Sequence, residues 1–458
     1  YRDLSSDVCS AVPPVCPLAA GIPGQPAALI HIAKRYGRLP LSQSLAPAIE
    51  MAREGFPVND HYRRMAGFRL TALQADEAVA AIFLADGEVP EAGALIRQPE
   101  LADTLDSIAR RGRSGFYTGP VAERLVEGVT RAGGIWTLED LAQYRVVERQ
   151  PVRGKYHGYT VTSAAPPSSG GVALVTMLNI LADYPLPDMD RAERVHLVVE
   201  AMRRAYRDRA DFLGDPDFVD VPVRRLTGKT YAHALAQSIR PDRVTSSASF
   251  GRPTTAGGGE STTHFSVLDA EGNRVAATLS INYPFGAAVV PPGTGVLLND
   301  EMDDFSAKPG VPNAYGLVGA EANAIAPGKR PLSSMSPTFV EDKSGVAILG
   351  TPGGSRIITM VLLGILDLAD GNGPESWVSL PRFHHQYLPD VLQYEVDAFD
   401  AAVLQRLAAK GHSLKPHEYG WGNMQAIWYD KKTGEVRAAS DPRVSGSAMV
   451  SDNQGNAD

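Results

Sequence analysis

Two adjacent threonines, Thr262 and Thr263, stand where a segment rich in glycine, serine and threonine gives way to a run typical of a β-strand. Residues 245–261 offer few side chains that a core could bury, so we expect a flexible loop there. A threonine hydroxyl can attack the carbonyl carbon of the preceding residue when that peptide bond is strained. Water then hydrolyses the resulting ester, which leaves the threonine with a free α-amine.

Such a threonine carries a nucleophile and a base in one residue. Its α-amine has an unperturbed pKa of about 7.7–8.0 and can accept the proton of the adjacent hydroxyl. A plainer interpretation exists, because paired threonines on a strand usually pack against another strand and a glycine-rich loop is usually a linker. On this stretch alone the plainer interpretation is favoured.

Two other segments could take part in chemistry. Four acidic side chains lie between Asp300 and Asp304, without the spacing and central glycine of an EF-hand loop. They could form a solvated turn or a pocket for a substrate ammonium. Gly353 and Gly354 follow a predicted strand and precede an apolar helix predicted at 357–368. Such a turn presents main-chain N–H groups that can stabilise an oxyanion, although many α/β proteins use the same turn for packing.

Histidine supplies no clear general base. His384 and His385 are adjacent, so on a strand they would point to opposite sides. His264 would share a strand face with Thr262 and could contact it, but a hydrogen-bonded core histidine is at least as good an explanation. The sequence lacks His-Glu-x-x-His, Gly-x-Ser-x-Gly and nucleotide-binding glycine motifs. We therefore expect neither a metal nor a cofactor.

Hydrophobic periodicity predicts the elements that would position these residues. Strands at 263–268 and 274–282, joined by a turn at 270–273, predict a hairpin that carries Thr262. The longest helix is predicted at 191–213, with its many arginines and glutamates on a solvated face. Helices are also predicted within 24–55 and at 99–111, 119–132, 137–144 and 172–181. An extended segment is predicted at 152–162 and a strand-turn-strand at 338–349.

Composition excludes several classes of function. The net charge of −8 and the lack of a basic run argue against nucleic acid and anionic membrane surfaces as partners. No apolar run reaches the roughly 20 residues of a membrane-spanning helix. An apolar fraction of 44% is sufficient for a large core, and no composition break divides the chain into domains.

Cys9 and Cys16 could form a disulfide or remain two thiols.

Several stretches in fixed order together resemble the γ-glutamyltranspeptidases, and this resemblance makes self-cleavage the favoured interpretation. It covers nearly the whole chain. It implies an α/β fold of the N-terminal-nucleophile hydrolase type, a four-layer αββα sandwich made from a precursor that splits into two subunits. The stretches are 166–171 (Pro-Pro-Ser-Ser-Gly-Gly), 213–218 (Leu-Gly-Asp-Pro-Asp-Phe), 262–267 (Thr-Thr-His-Phe-Ser-Val), 298–310 (Leu-Asn-Asp-Glu-Met-Asp-Asp-Phe-Ser-Ala-Lys-Pro-Gly), 329–338 (Lys-Arg-Pro-Leu-Ser-Ser-Met-Ser-Pro-Thr), 352–357 (Pro-Gly-Gly-Ser-Arg-Ile) and 381–386 (Pro-Arg-Phe-His-His-Gln).

The resemblance implies a cut between Ser261 and Thr262. Residues 1–261 would then belong to the large subunit and 262–458 to the small subunit, intertwined in one structural domain. Thr262 would form a γ-glutamyl ester that passes to water or to the amine of an amino acid or dipeptide. Ser280 stands where the family commonly has a second threonine that hydrogen-bonds the first, and it keeps the hydroxyl. The amides of Gly353 and Gly354 would form the oxyanion hole.

The resemblance also implies a site for the zwitterionic end of glutathione or another γ-glutamyl compound. A buried pair of opposite charges would fix the register of such a substrate. Its α-ammonium would be held by Asn282, Glu301 and Asp304, and its α-carboxylate by Ser333 and Ser334. Tyr315 stands where family members with a lid have an aromatic residue, and Arg2 matches the carboxylate-binding arginine through a three-residue motif, Tyr1-Arg2-Asp3.

Two further expectations follow from the resemblance. Family members carry a further section before the Arg2 motif, so we expect this sequence to be truncated and to lack strands of the sandwich and one wall of the pocket. Bacterial members are mostly periplasmic or secreted, which is the localisation implied here.

Three functions stay open. The favoured one is a γ-glutamyltransferase and glutathione hydrolase. A related acylase for glutaryl or other side-chain amides would share the nucleophile and oxyanion motifs but need not bind an α-ammonium, so Glu301 and Asp304 favour the γ-glutamyl function. The third is an unprocessed, inactive homologue that only binds a ligand or serves as a surface antigen.

Overall fold

The computed structural model describes residues 16–250, 262–306, 317 and 319–451. Arg2, Ser261 and Tyr315, which the resemblance assigns to the site, lie outside the described residues, as does Cys9. Cys16 is half-buried and has no disulfide partner among the described residues. No helix within the described ranges combines the length and apolar character that a membrane crossing requires.

The chain divides into two compact units. Unit 1 comprises Tyr1–Glu148 and Ile281–Asp303, and unit 2 comprises Arg149–Ser280 and Asp304–Asp458. Each unit therefore draws on segments from both sides of Thr262. Composition alone gave no sign of this division.

Unit 1 is mainly helical. Two of its helices begin within one residue of the predicted start, and local signals explain why. Pro99 is the first residue of one helix, and Thr137 caps the other, which begins at Leu138, through a capping box with Asp140. Its helices are α1 (Gln25–Arg35), α2 (Leu41–Glu54), α3 (Asp60–Phe68), α4 (Leu70–Gln74), α5 (Glu77–Phe83), α6 (Pro99–Arg111), α7 (Ser114–Tyr117), α8 (Pro120–Arg131) and α9 (Leu138–Gln143), and its strands are β1 (Phe56–Pro57) and β2 (Leu95–Ile96).

The segment at 281–303 belongs to the cores of unit 1. Ala287 and Leu298 pack in a cluster with Phe116 and Leu125, and Val290 packs in a second cluster. Burial of these apolar side chains packs the segment against the unit 1 helices as far as Leu298, two residues before Asp300.

Unit 2 is built on a six-stranded antiparallel sheet of order β13-β12-β8-β7-β4-β3. A separate hairpin, β5–β6, carries Thr262 at its open end, and a three-stranded sheet has the order β11-β10-β9. The strands are β3 (Val152–Tyr156), β4 (Tyr159–Ser163), β5 (Thr262–Leu268), β6 (Arg274–Ser280), β7 (Thr338–Glu341), β8 (Gly345–Gly350), β9 (Phe383–His384), β10 (Leu392–Glu395), β11 (Leu414–His417), β12 (Gln425–Asp430) and β13 (Val436–Ser440).

Helices cover one face of the large sheet and the hairpin covers the other. Along β8, Val346 and Ile348 pack with hairpin residues such as Leu268, whereas Leu349 faces Gly364 of α14. Alternate residues of a strand point to opposite faces, so the layers run helices, sheet, hairpin. The helices are α10 (Gly170–Leu181), α11 (Arg191–Phe212), α12 (Val223–Leu226), α13 (Lys229–Gln237), α14 (Ile357–Ala369), α15 (Pro374–Ser379) and α16 (Ala401–Ala409).

Helix α11 has the predicted bounds to within one residue, but the prediction that its charged residues lie on a solvated face is wrong. Glu200 is fully buried and accepts hydrogen bonds from Arg203 Nε at 3.1 Å and Arg204 Nη1 at 2.6 Å. Charged side chains three and four residues apart on one helix face can neutralise one another. That pairing lets a charged face of the helix enter the core. Asp208 and Arg209 are buried as well.

Candidate active site

Thr262 and Ser280 form a hydroxyl pair at the open end of the hairpin. They are opposite one another in the β5–β6 register, and Thr262 Oγ1 donates to Ser280 Oγ at 3.2 Å. At the closed end, the Asp269 carboxylate accepts hydrogen bonds from the main-chain N–H groups of Glu271 and Asn273 at 2.9 and 2.8 Å. This turn fixes the register and therefore the pairing of the two hydroxyls. The predicted hairpin is confirmed.

His264 is a buried, hydrogen-bonded residue and not a base for Thr262. Its Nδ1 contacts Thr278 Oγ1 at 2.8 Å and its Nε2 contacts Ser266 Oγ at 3.2 Å. Burial lowers the pKa of His264 to about 3, so the imidazole is neutral at physiological pH. Of the two roles that the sequence left open, the core role is the one observed.

The same imidazole fixes the hairpin against the large sheet. A β-carbon built on Gly350, the last residue of β8, would lie 2.2 Å from His264 Cε1. Such an approach is possible only because residue 350 has no side chain. It sets the strand that begins at Thr262 beside the strand that leads to Gly353 and Gly354.

The Gly353–Gly354 turn has a backbone conformation that suits glycine. The φ angles are +139° at Gly353 and +55° at Gly354, and a β-carbon at Gly353 would lie 2.4 Å from Met360 Cε. Among residues 262–306 and 319–451, neither of these two main-chain N–H groups has a hydrogen-bond acceptor. Two adjacent N–H groups that are not engaged in such hydrogen bonds can stabilise a developing negative charge.

Side chains from unit 2 hold this turn in place. The Tyr206 hydroxyl donates to the Ser355 carbonyl oxygen, and Ser355 Oγ donates to Gln386 Oε1 at 2.7 Å. His384 Nε2 contacts the same Gln386 oxygen at 2.8 Å, and its Nδ1 contacts Thr359 Oγ1 at 2.8 Å. His384 is thus a structural residue rather than a candidate base.

Ser333 and Ser334 lie against helix α11. Ser333 Oγ accepts a hydrogen bond from the Met335 main-chain N–H at 3.0 Å. Ser334 Oγ accepts one from Arg209 Nη2 at 3.2 Å. The Ser333 carbonyl oxygen accepts from both the main-chain N–H and the hydroxyl of Ser169, at 2.8 and 2.7 Å. The two serines are therefore held from both main chain and side chain.

The predicted ammonium ligands fall in different units. Asp304 belongs to unit 2, where its carbonyl oxygen accepts from Asn323 Nδ2 at 2.8 Å. Asn282 and Glu301 belong to unit 1. There, Asn282 is buried with φ +70°, and its Nδ2 donates to the Asp300 carbonyl oxygen at 3.0 Å. The Glu301 main-chain N–H donates to Asn299 Oδ1 at 3.0 Å.

Asp300, beside Glu301, is a buried carboxyl group whose charge is disfavoured. Its Oδ1 accepts from the Tyr283 main-chain N–H at 2.9 Å, and its Oδ2 is buried without a hydrogen-bond partner among the residues that the structure describes. Burial raises the pKa of Asp300 to about 7. At neutral pH this residue is therefore partly protonated, unlike an ordinary aspartate.

Sequence reasoning missed Arg209 and Ser169, which support the serine pair. Arg209 lies four residues after Ala205 and seven after Met202, both on the predicted apolar face of α11. That spacing was a signal that its side chain points inward. Ser169 lies in the stretch at 166–171 that the resemblance includes, but no role was expected for it.

Comparisons with known proteins agree with the motifs. The family model described as gamma-glutamyltranspeptidase matches residues 1–451. The glutathione hydrolase proenzyme of Escherichia coli (strain K12) is 44% identical over 433 residues, which is 93% of this chain and 74% of that protein. The glutathione hydrolase proenzyme of Pseudomonas aeruginosa (strain PAO1) is 42% identical over 98% of this chain and 81% of its own length.

A solved structure supports the fold. The crystal structure of cephalosporin acylase from Bacillus halodurans superposes with a TM-score of 0.82 at 28% identity, covering 94% of this chain and 78% of that one. The predicted fold class, that of the N-terminal-nucleophile hydrolases, is confirmed.

Proposed function

The chain belongs to the γ-glutamyltranspeptidase family, and on this premise we propose that it is a γ-glutamyltransferase and glutathione hydrolase with Thr262 as its nucleophile. It cleaves itself between Ser261 and Thr262, so residues 1–261 become the large subunit and 262–458 the small subunit. The observation that carries the proposal is the hydrogen bond of Thr262 Oγ1 to Ser280 Oγ at the end of the hairpin.

The catalytic cycle uses the two groups of Thr262. Its α-amine takes the proton of its own hydroxyl as Oγ1 attacks the γ-carbonyl carbon of the substrate. The N–H groups of Gly353 and Gly354 stabilise the negative charge on the carbonyl oxygen. The protonated amine then gives its proton to the departing nitrogen, and the C–N bond breaks to leave a γ-glutamyl ester. Water or the amine of an amino acid or dipeptide attacks this ester and restores Thr262.

Recognition rests on the two charges at the far end of the γ-glutamyl group. Ser333 and Ser334 donate hydrogen bonds to the α-carboxylate, together with Arg2. Asp304, Asn282 and Glu301 hold the α-ammonium, and Tyr315 closes over the bound substrate. The substrates are glutathione and other γ-glutamyl compounds. After the cut the two subunits stay associated, which the contribution of both chain segments to each unit supports. The protein acts in the periplasm or outside the cell.

The test is release of 4-nitroaniline from γ-glutamyl-4-nitroanilide by the cut protein. Asp304→Ala should be cut normally yet lose γ-glutamyl turnover, because the substrate ammonium is then buried without its partner at a cost of several kcal/mol, on the order of 3–5. Glu321→Gln is the control, since it neutralises an exposed carboxylate on a short 3₁₀ helix of the same unit. A cut wild-type protein that releases no nitroaniline would reject the function.

An acylase is the second candidate, favoured by the TM-score of 0.82 with a cephalosporin acylase. A glutaryl amide resembles a γ-glutamyl amide without its α-ammonium. The ratio of kcat/KM for γ-glutamyl-4-nitroanilide and glutaryl-4-nitroanilide separates the two. A ratio well above one supports the γ-glutamyl function, and a ratio below one supports the acylase.

A further inference from the structure

Arg209 is a buried cation whose hydrogen-bond partners are uncharged. The residue is 4% exposed. Its Nε donates to Ser169 Oγ at 3.0 Å and its Nη2 to Ser334 Oγ at 3.2 Å. Within the described ranges no carboxylate oxygen lies within 4.0 Å of its guanidinium. By contrast, Arg203 on the same helix pairs directly with Glu200 at 3.1 Å.

A buried charge without an ion pair is costly unless another charge approaches it. Burial lowers the pKa of Arg209, and Tyr206 and Asp304 act in the opposite direction. An anion bound beside the guanidinium would compensate its charge. The serines that contact it indicate where that anion would bind.

Both serine hydroxyls are set to donate. Ser334 Oγ already accepts from Arg209, and Ser333 Oγ already accepts from the Met335 N–H. A hydroxyl has one donor and two acceptor positions, and neither hydroxyl donates to any residue that the structure describes. Each O–H is therefore available to a ligand, and a ligand contacted by two O–H donors beside a buried cation is an anion.

One guanidinium is connected to both serines. It contacts Ser334 directly. It also contacts Ser169 Oγ, which in turn donates to the Ser333 carbonyl oxygen at 2.7 Å. Arg209 has the planar, fixed donor geometry that such a double contact needs.

We propose that Arg209 is the positioning residue for the α-carboxylate of γ-glutamyl substrates, an inference that rests on the proposed function. It orients the Ser334 hydroxyl directly and holds Ser333 through Ser169. Its positive charge lies beside the Ser334 hydroxyl and stabilises the bound carboxylate. It makes no contact with the reacting carbonyl group.

Two substrates that differ only in the α-carboxylate test this role: γ-glutamyl-4-nitroanilide and 4-aminobutanoyl-4-nitroanilide. For Arg209→Met, we expect kcat/KM to fall at least about tenfold more with the first substrate than with the second, mainly through KM. Arg207→Met is the matched control. This arginine is on the same helix, its side chain is 31% exposed, and it pairs with Asp211 at 2.7 Å. Arg207→Met should keep the wild-type ratio of the kcat/KM values for the two substrates.

Arg209→Lys and Ser169→Ala cover the case in which Arg209→Met does not yield folded, cut protein. Lysine keeps the charge but cannot contact Ser169 and Ser334 together. The kcat/KM of Arg209→Lys should therefore fall less than that of Arg209→Met, and again more with γ-glutamyl-4-nitroanilide than with 4-aminobutanoyl-4-nitroanilide. Competitive inhibition by L-glutamate and by 4-aminobutanoate gives the same comparison without turnover of the second substrate.

Equal losses with both compounds, or no loss, would overturn the role of Arg209. Absence of γ-glutamyl turnover by cut wild-type protein is a different outcome, because it rejects the proposed function itself.

Discussion

The imidazole of His264 occupies the space that any side chain at Gly350 would need, with Cε1 lying 2.2 Å from the position of a β-carbon there. His264 is two residues from the proposed nucleophile, and Gly350 is three residues before Gly353. A packing contact thus links the two parts of the proposed catalytic apparatus, and neither residue needs to touch substrate.

Gly350→Ala should therefore destabilise the protein and slow self-cleavage. The added methyl forces the buried ring of His264 to move, and overpacking of this kind costs about 1–3 kcal/mol. Urea unfolding measures the loss of stability, and gel analysis of the two fragments measures cleavage. Gly67→Ala is the control, because a β-carbon there meets nothing within 4 Å and the residue lies in helix α3. Unchanged stability of Gly350→Ala would contradict the contact.

Self-cleavage should depend on Ser280 only through its hydroxyl group. Ser280→Ala removes the acceptor of the Thr262 hydrogen bond, so self-cleavage should slow by about two- to tenfold, as expected for loss of one hydrogen bond. Ser280→Thr keeps the hydroxyl and should be cut at close to the wild-type rate. The rate constant for appearance of the smaller fragment measures both. Cleavage of Ser280→Ala as fast as that of Ser280→Thr would remove the residue from the mechanism.

The buried charges of helix α11 should make Glu200 a stability determinant. Glu200→Gln leaves Arg203 and Arg204 in the core without the carboxylate that both contact, which costs about 3–5 kcal/mol in comparable buried pairs. The control is Glu193→Gln on the same helix, whose side chain is 48% exposed and whose loss should cost less than about 1 kcal/mol. Equal urea midpoints for the two variants would be inconsistent with the burial of Glu200.

Asp300 should make the free energy of unfolding depend measurably on pH. An unfolded aspartate titrates near pH 3.9, whereas burial raises the pKa of folded Asp300 to about 7. Between these values the folded state holds a proton that the unfolded state has lost, so this residue destabilises the fold increasingly as pH rises. Asp300→Asn removes the effect.

The stability of Asp300→Asn relative to wild type should therefore improve between about pH 4 and 7, by at most about 1.4 kcal/mol per pH unit. Above pH 7 the difference should level off. Chemical unfolding of both proteins at several pH values measures it. A difference that is independent of pH would show that Asp300 is charged in the fold.

Local sequence signals predicted much of the fold. The bounds of α6 match those predicted, because Pro99 begins the helix and Gly112 follows it with φ +56°. The hairpin that carries Thr262 was predicted from alternation and a turn. These features depend on neighbours in sequence, which a single sequence displays.

What the sequence did not predict depends on distant neighbours. The charged residues of α11 were expected in solvent, because some of the groups that compensate them lie far away in the sequence. The Thr245 main-chain N–H donates to Glu200 Oε1 at 3.2 Å, and the Asp390 carboxylate pairs with Arg203. The connection of Arg209 to Ser169 and Ser334 is of the same kind. For the site, motif order indicated which residues to compare, but the supporting contacts arise only when the chain folds.

The most direct test of the central claim is the intact mass of the purified protein, with N-terminal sequencing of any smaller fragment. Two fragments are expected, the smaller beginning Thr262-Thr263-His264, and Thr262→Ala should give a single uncut chain. A second fragment that begins at another residue, or cleavage that persists in Thr262→Ala, would contradict the assignment of Thr262 as the nucleophile.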